Sequence, residues 1–342
     1  MESNQNRRID FVDLTKGICI ILVIMTHIGG AFNELDKHSM LSCFRMPLYF
    51  FISGVFFKSY EGLFGFILRK INKLIIPFLF FYLSGFILKY IIWKIAPGTF
   101  QLPVLWDELL TVFHGHDLIR FNPSIWFLLA LFNCNMLFYF VHFLRDKHLP
   151  IMFLITLFIG CAGFFLGKYH IELPLYMDVA MTALPFYVAG FWVRRYNFFL
   201  FPNHRFDKLI PVFILLALII MYFTATAPGM RTNNYTGNIF QLYIAAFAGI
   251  FMIMLICKKI KRLGIISYLG RYSIIALSIH GPLLHFANPV ISRYIHNSWG
   301  QAICLLSLTL AICILLTPVF LKVIPQMVAQ KDLLKVKQNP SQ

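Results

Sequence analysis

Hydrophobic residues in this chain come in long runs, without the strict alternation of strands or the one-sided spacing of soluble helices. Ten such runs lie near residues 14–32, 40–57, 74–96, 123–143, 150–167, 177–193, 209–226, 239–257, 272–291 and 302–324, and the charged residues gather in the short segments between them. As helices these runs reach across a hydrocarbon core of about 30 Å. An isolated strand would leave its backbone groups unpaired in lipid, whereas a helix satisfies its own. The pattern therefore predicts an all-α, polytopic membrane bundle of about ten transmembrane helices. The sixth run is the weakest, because it holds Asp178, Pro185 and Gly190, and such residues are tolerated at depth only where neighbours re-satisfy the backbone.

The polar segments set the orientation. With ten crossings, the amino-terminal tail, the 58–73, 144–148, 194–208 and 258–271 loops and the carboxy-terminal tail share one side and hold 22 of the 30 Lys and Arg. The positive-inside rule assigns that side, and both termini, to the cytoplasm. Removing the sixth crossing would move Lys258, Lys259, Lys261 and Arg262 outside, the poorer solution.

Composition agrees: 59% apolar, only 13% charged, with a mean hydropathy of +0.74, well outside the soluble range. The net charge of +16 is dispersed between apolar runs, so it reads as topology rather than as a nucleic-acid footprint. The seven cysteines lie mostly inside apolar runs without metal or redox spacing, so neither zinc nor disulfides are expected. No small-residue cleavage site follows the first run, which is expected to be a retained helix. The longest outer loop, about 95–122, is too short for a folded domain, so residues 1–342 read as a single transmembrane domain.

Chemistry must then sit inside the bundle or at its mouths. The first run carries Asp13-Leu14-Thr15-Lys16-Gly17 and ends in Thr26-His27. Lys16 and His27 are eleven residues apart, nearly three full turns, which puts them on one helical face about 16 Å apart. With Lys16 at the cytoplasmic boundary, His27 falls near mid-membrane. An ionisable residue there is a functional candidate; its bland alternative is a structural histidine bonded to a neighbouring helix.

The ninth run repeats the pattern, from Gly270-Arg271 at the cytoplasmic edge to Ser278-Ile279-His280-Gly281-Pro282. His280 lies about 14 Å beyond Arg271 if helical, at a depth similar to His27. Gly281 and Pro282 would loosen the helix and free backbone groups to line a polar cavity, or simply kink a structural helix. His285 and Asn288 extend that lining. In Phe44-Arg45-Met46-Pro47, Pro47 suits a helix start, and Arg45 at the outer boundary either binds an anionic acceptor or snorkels to lipid headgroups. His114-Gly115-His116-Asp117 has metal-ligating residue types, but His-x-His is common by chance, and no metal is expected.

Together these segments resemble the acyltransferase-3 superfamily, ten-helix bacterial membrane proteins that acylate sugars of surface polysaccharides, and the likeness spans nearly the whole chain. Asp13, Lys16, Gly17 and His27 match its opening pattern. Phe50-Phe51-Ile52-Ser53-Gly54 matches its second helix, Ser124-Ile125-Trp126-Phe127-Leu128 and Leu184-Pro185-Phe186 its middle spans, and Gly270 to His280 its late segment. Lys16 replaces the family's usual Arg, keeping the charge while losing the bidentate fork. Arg45 stands where relatives most like fucose O-acetylases carry His before Met-Pro.

The resemblance implies an O-acyltransferase of the bacterial inner membrane that moves an acyl group, acetyl first of all, from acyl-CoA to a hydroxyl of a lipid-linked or cell-surface sugar. Acyl-CoA would be a co-substrate, with no permanently bound cofactor. The expected partners are the lipid bilayer, acyl-CoA and a carbohydrate or glycolipid acceptor. His27 is expected as general base, or else as covalent acyl carrier, with His280 as second catalytic or acceptor-orienting group. Lys16 and Arg271, with basic neighbours in the 258–271 loop, are expected to hold the CoA phosphates, Asp13 to orient Lys16, and Arg45 and Trp126 to meet the acceptor. The rival readings are a glycolipid or small-anion transporter or flippase, since mid-membrane histidines also relay protons, and a non-catalytic relative acting as a scaffold.

Overall fold

A computed structural model describes residues 9–59, 62–95, 122–145, 148–197 and 199–335. The chain folds as α1 (Asp10–Ile28), α2 (Ala31–Leu35), α3 (Ser42–Val55), α4 (Gly62–Lys70), α5 (Ile76–Ile95), α6 (Trp126–Val141), α7 (Leu149–Lys168), α8 (Met177–Arg195), α9 (His204–Lys208), α10 (Ile210–Thr224), α11 (Ile239–Ile260), α12 (Gly264–Arg271), α13 (Ser273–Tyr294) and α14 (Ser298–Val323). Among the described residues the only sheet is a two-residue hairpin, Pro228–Gly229 against Asn234–Tyr235. This is the all-α membrane bundle that the hydropathy predicts. Each of the ten apolar runs is helical, and among the described residues seven helical spans are long and apolar enough to cross a membrane. The 14-residue α3, the 15-residue α10 and the Asp- and Pro-bearing α8 fall outside that group.

Burial sorts the helices into two layers. Helices α3 and α8 are buried along most of their length, whereas α10 buries only Ile210, Ala217 and Met221 and turns Val212, Leu215, Ile219 and Phe223 outward. Such an apolar outer surface would drive aggregation in water and is what a lipid-facing helix requires. All seven cysteines carry free thiols.

Two reciprocal glycine contacts set the closest crossings. A Cβ on Gly54 of α3 would overlap the Tyr187 carbonyl of α8, and one on Gly190 of α8 would overlap the Phe51 carbonyl of α3. Likewise Gly17 of α1 faces the Ile266 carbonyl of α12, and Gly270 of α12 faces the Asp13 carbonyl of α1. Small residues let helix backbones approach where packing, not hydrophobicity, must hold them together.

Several boundaries differ from expectation. The first run ends at Ile28 because Gly29 and Gly30 adopt positive φ, +70° and +55°, which stops an L-residue helix. Helix α3 begins at Ser42, five residues before Pro47, where the Asp36 carboxylate accepts the Leu41 N–H at 2.7 Å. The 58–73 loop is mostly helix: α4 continues through a π-helical turn, Ile71–Ile75, into α5. Within that turn the Asn72 side chain bonds the Leu333 and Leu334 N–H groups and the Leu334 carbonyl, and Lys73 pairs with Asp332 at 2.9 Å. The carboxy-terminal segment is thereby strapped to the 58–73 region. Segments expected on one side do meet: Lys258 donates to Asp207 at 2.6 Å and to the Phe201 carbonyl at 3.0 Å, joining the 194–208 and 258–271 segments.

Candidate active site

Because α1 stops at Gly29, whose N–H closes on the Met25 carbonyl at 3.1 Å, His27 occupies the last turn. Its ring lies against that of His280, with centroids 5.0 Å apart and planes at 55°. The two histidines expected at matching depth are thus neighbours on different helices, although His27 stands at a helix end rather than midway along one.

The position of His280 follows from Pro282. A proline lacks an N–H, so the carbonyl four residues earlier, Ser278, loses its helical partner. Asn122 supplies the replacement, donating its side-chain amide to that carbonyl at 2.5 Å. Two residues beyond Ser278, His280 is fully buried, and its Nδ1 lies 2.8 Å from the Ala276 carbonyl. A carbonyl only accepts, so Nδ1 carries the hydrogen and Nε2 of the neutral ring is left as acceptor. Nε2 meets the Ser124 hydroxyl at 3.2 Å. Ser124 sits in the 3-10 turn Pro123–Ile125 ahead of α6, and Gly281 makes room for it: a Cβ on Gly281 would come within 2.6 Å of Ser124 Oγ.

Two cavities open on this group. The larger, about 340 Å³, is lined by His27, Ser124, Gly281, Lys89, His285 and Asn288 among others. The smaller, about 280 Å³, is lined by His27, Ser124, Thr26, Arg45, Trp126 and Arg231 among others. His27 and Ser124 belong to both walls. Arg45 turns inward and donates to the Thr26 hydroxyl, and Trp126 packs 5.7 Å from the Tyr176 ring. The Arg45 guanidinium thus forms part of the wall of the smaller cavity.

The expected donor residues gather elsewhere, at the crossing of α1 and α12. Lys16 and Arg271 flank the Gly17 and Gly270 contacts, Asp13 lies within electrostatic reach of Lys16, and Lys16 Nζ stands 5.8 Å from the Phe56 ring centroid. Arg271, Lys259, Lys261 and Arg262 are exposed. Lys258 is already engaged by Asp207, which removes it from the basic neighbours available to phosphate.

His285 and Asn288 line the larger cavity as expected. His114, His116 and Asp117 lie outside the described residues. Among the described residues no group of three or more His, Cys, Asp or Glu could hold a metal ion. Sequence reasoning missed three residues here: Ser124, noted only as part of a family likeness; Asn122, just ahead of it; and Arg231, an isolated basic residue on the sparsely charged side.

Compared with known families, residues 9–318 match the model of an acyltransferase domain. No curated protein and no solved structure matches the chain.

Proposed function

The chain belongs to the acyltransferase-domain family, and from that premise we propose that this membrane acyltransferase moves an acetyl group from acetyl-CoA to a hydroxyl of a lipid-linked or cell-surface sugar. The observation that carries the reading is the His27 ring, 5.0 Å from His280 and in the wall of both cavities. A sugar hydroxyl is a weak nucleophile at neutral pH, and a positioned imidazole that takes its proton is the usual remedy. His27 is that base. His280, anchored through Nδ1 to the Ala276 carbonyl, is the second catalytic group.

The smaller cavity receives the acceptor, with the indole of Trp126 as an apolar wall for a sugar face and the Arg45 guanidinium as a polar clamp. The donor's phosphates bind at the other end, to Lys16 and Arg271, with Asp13 orienting Lys16. Acyl-CoA is cytosolic and strongly anionic, so a basic cytoplasmic mouth raises its local concentration. That assignment rests on the 22 basic residues of one side, which also support an inner-membrane protein with both termini in the cytoplasm.

The test is transfer itself: purified protein, radiolabelled acetyl-CoA and glycolipids extracted from the host. Label in the glycolipid fraction, absent with His27→Ala, is expected. Uptake of glycolipid into vesicles without any release of CoA thiol would replace the reading with transport.

A further inference from the structure

We infer that Ser124 carries the acyl group, so that transfer is a double displacement through an ester on its hydroxyl, activated by His280. The inference rests on the acyl-CoA reading and adds a covalent step to it. Three observations converge on this residue. Its hydroxyl is 3.2 Å from His280 Nε2, the ring nitrogen left free to accept because Nδ1 is committed to the Ala276 carbonyl at 2.8 Å. Nucleophile, base and orienting group thus stand in the order that nucleophilic catalysis uses. Ser124 also lies in the wall shared by the two cavities, where one group can meet two substrates in turn. Finally, Ser124 is only 2% exposed, so little water would reach an ester there, and hydrolysis would compete poorly with transfer.

The balance is complete without a co-reactant. In the first half, Ser124 Oγ bonds to the thioester carbonyl carbon and its proton passes to His280 Nε2. The carbon–sulfur bond breaks, and the departing thiolate takes that proton to leave as CoA thiol. In the second half, the sugar hydroxyl attacks the Ser124 ester while His27 takes its proton. The bond to Ser124 Oγ breaks, and the proton returns to that oxygen. Gly281 has a positioning part, since any side chain there would crowd Ser124 Oγ.

The experiment incubates the detergent-purified full chain with [14C]acetyl-CoA in the absence of acceptor, quenches in acid and maps protein-bound label by mass spectrometry. A burst of CoA thiol with acetyl on the Ser124 peptide, discharged when host glycolipid is added, is expected. Ser124→Ala and His280→Ala should lose the label. Ser124→Cys should form a thioester that hydroxylamine cleaves rapidly, provided each variant elutes like the parent in size exclusion. Label on His27, or transfer in Ser124→Ala within about threefold of the parent, overturns the inference while leaving the acyltransferase reading intact. If the parent releases no CoA thiol and labels no glycolipid, the donor reading fails and the covalent step fails with it.

Discussion

The Asn122 amide donates to the Ser278 carbonyl across 156 residues of sequence at 2.5 Å, and it does so at the one carbonyl that Pro282 leaves without a helical partner. A proline that would otherwise cost a buried hydrogen bond becomes the site of an anchor. The anchor ties the segment that carries Ser124 to the helix that carries His280.

Asn122→Ala should therefore lower thermal stability and transfer together. An unsatisfied buried carbonyl costs about 1–3 kcal/mol, and the Ser124 turn loses its tether. Asn122→Asp should behave like the alanine variant, because an ionised carboxylate cannot donate. Melting in detergent, followed by tryptophan fluorescence, reads the effect; a melting temperature unchanged in both variants would remove the bond from the stability of the fold.

Gly54→Ala and Gly190→Ala should each destabilise the α3–α8 crossing. The atom that a new Cβ meets is a backbone carbonyl, Tyr187 in one case and Phe51 in the other, so neither can be relieved by a rotamer change. Overpacking of this kind costs about 1–3 kcal/mol. Because the two sites share one interface, the double variant should not be additive. Membrane yield and monodispersity measure it, and parental behaviour of both single variants would show that the helices slide apart freely.

The helices were legible in the sequence because a membrane demands continuous apolar runs, and even α8 with Asp178 and Pro185 was required by charge. Where polar residues interrupt a helix, the reading faltered. Arg69, Lys70, Asn72 and Lys73 look like a loop until the carboxy-terminal segment is seen to use Asn72. The likeness at Ser53-Gly54, Gly17 and Gly270 pointed to family membership, but its physical content is close backbone approach, visible only once the partner helix is known. Of the candidate site, His27 and His280 could be paired by equal distance from basic boundary residues. Ser124 and Arg231 could not, since both sit outside the regular helices and have no periodicity to place them.

Arg231→Gln and Arg45→Gln should raise the acceptor KM and leave that of acyl-CoA unchanged. Both side chains line the smaller cavity, which includes neither Lys16 nor Arg271 in its wall. Losing a charge-assisted hydrogen bond to an anionic acceptor would cost about 1.5–3 kcal/mol, roughly ten- to a hundredfold in acceptor affinity. Steady-state kinetics with each substrate varied decides it; a selective rise in the acyl-CoA KM would move the donor into this cavity.

Lys16→Ala should weaken acyl-CoA binding, whereas Lys16→Arg should preserve it, because phosphate recognition needs the charge more than its shape. Raising salt should weaken the parent too, since exposed charges are screened over about 8–10 Å near physiological ionic strength. Calorimetric titration with CoA follows both effects, and an affinity indifferent to Lys16→Ala would take that residue out of the donor site.

His27 offers the sharpest separation of chemistry from architecture. Its ring makes a wall of both cavities, so His27→Ala should leave insertion and melting close to the parent while reducing transfer by about 10²–10⁴-fold. His27→Gln keeps hydrogen-bonding capacity but has no titratable nitrogen, and should be as inactive as alanine. His280→Ala differs in kind: the ring is fully buried and bonded at both nitrogens, so its loss should lower stability as well as transfer. Activity in His27→Gln equal to the parent would reduce His27 to a structural neighbour of His280. Chemistry at this end of the bundle would then have to pass through Ser124 and His280 alone.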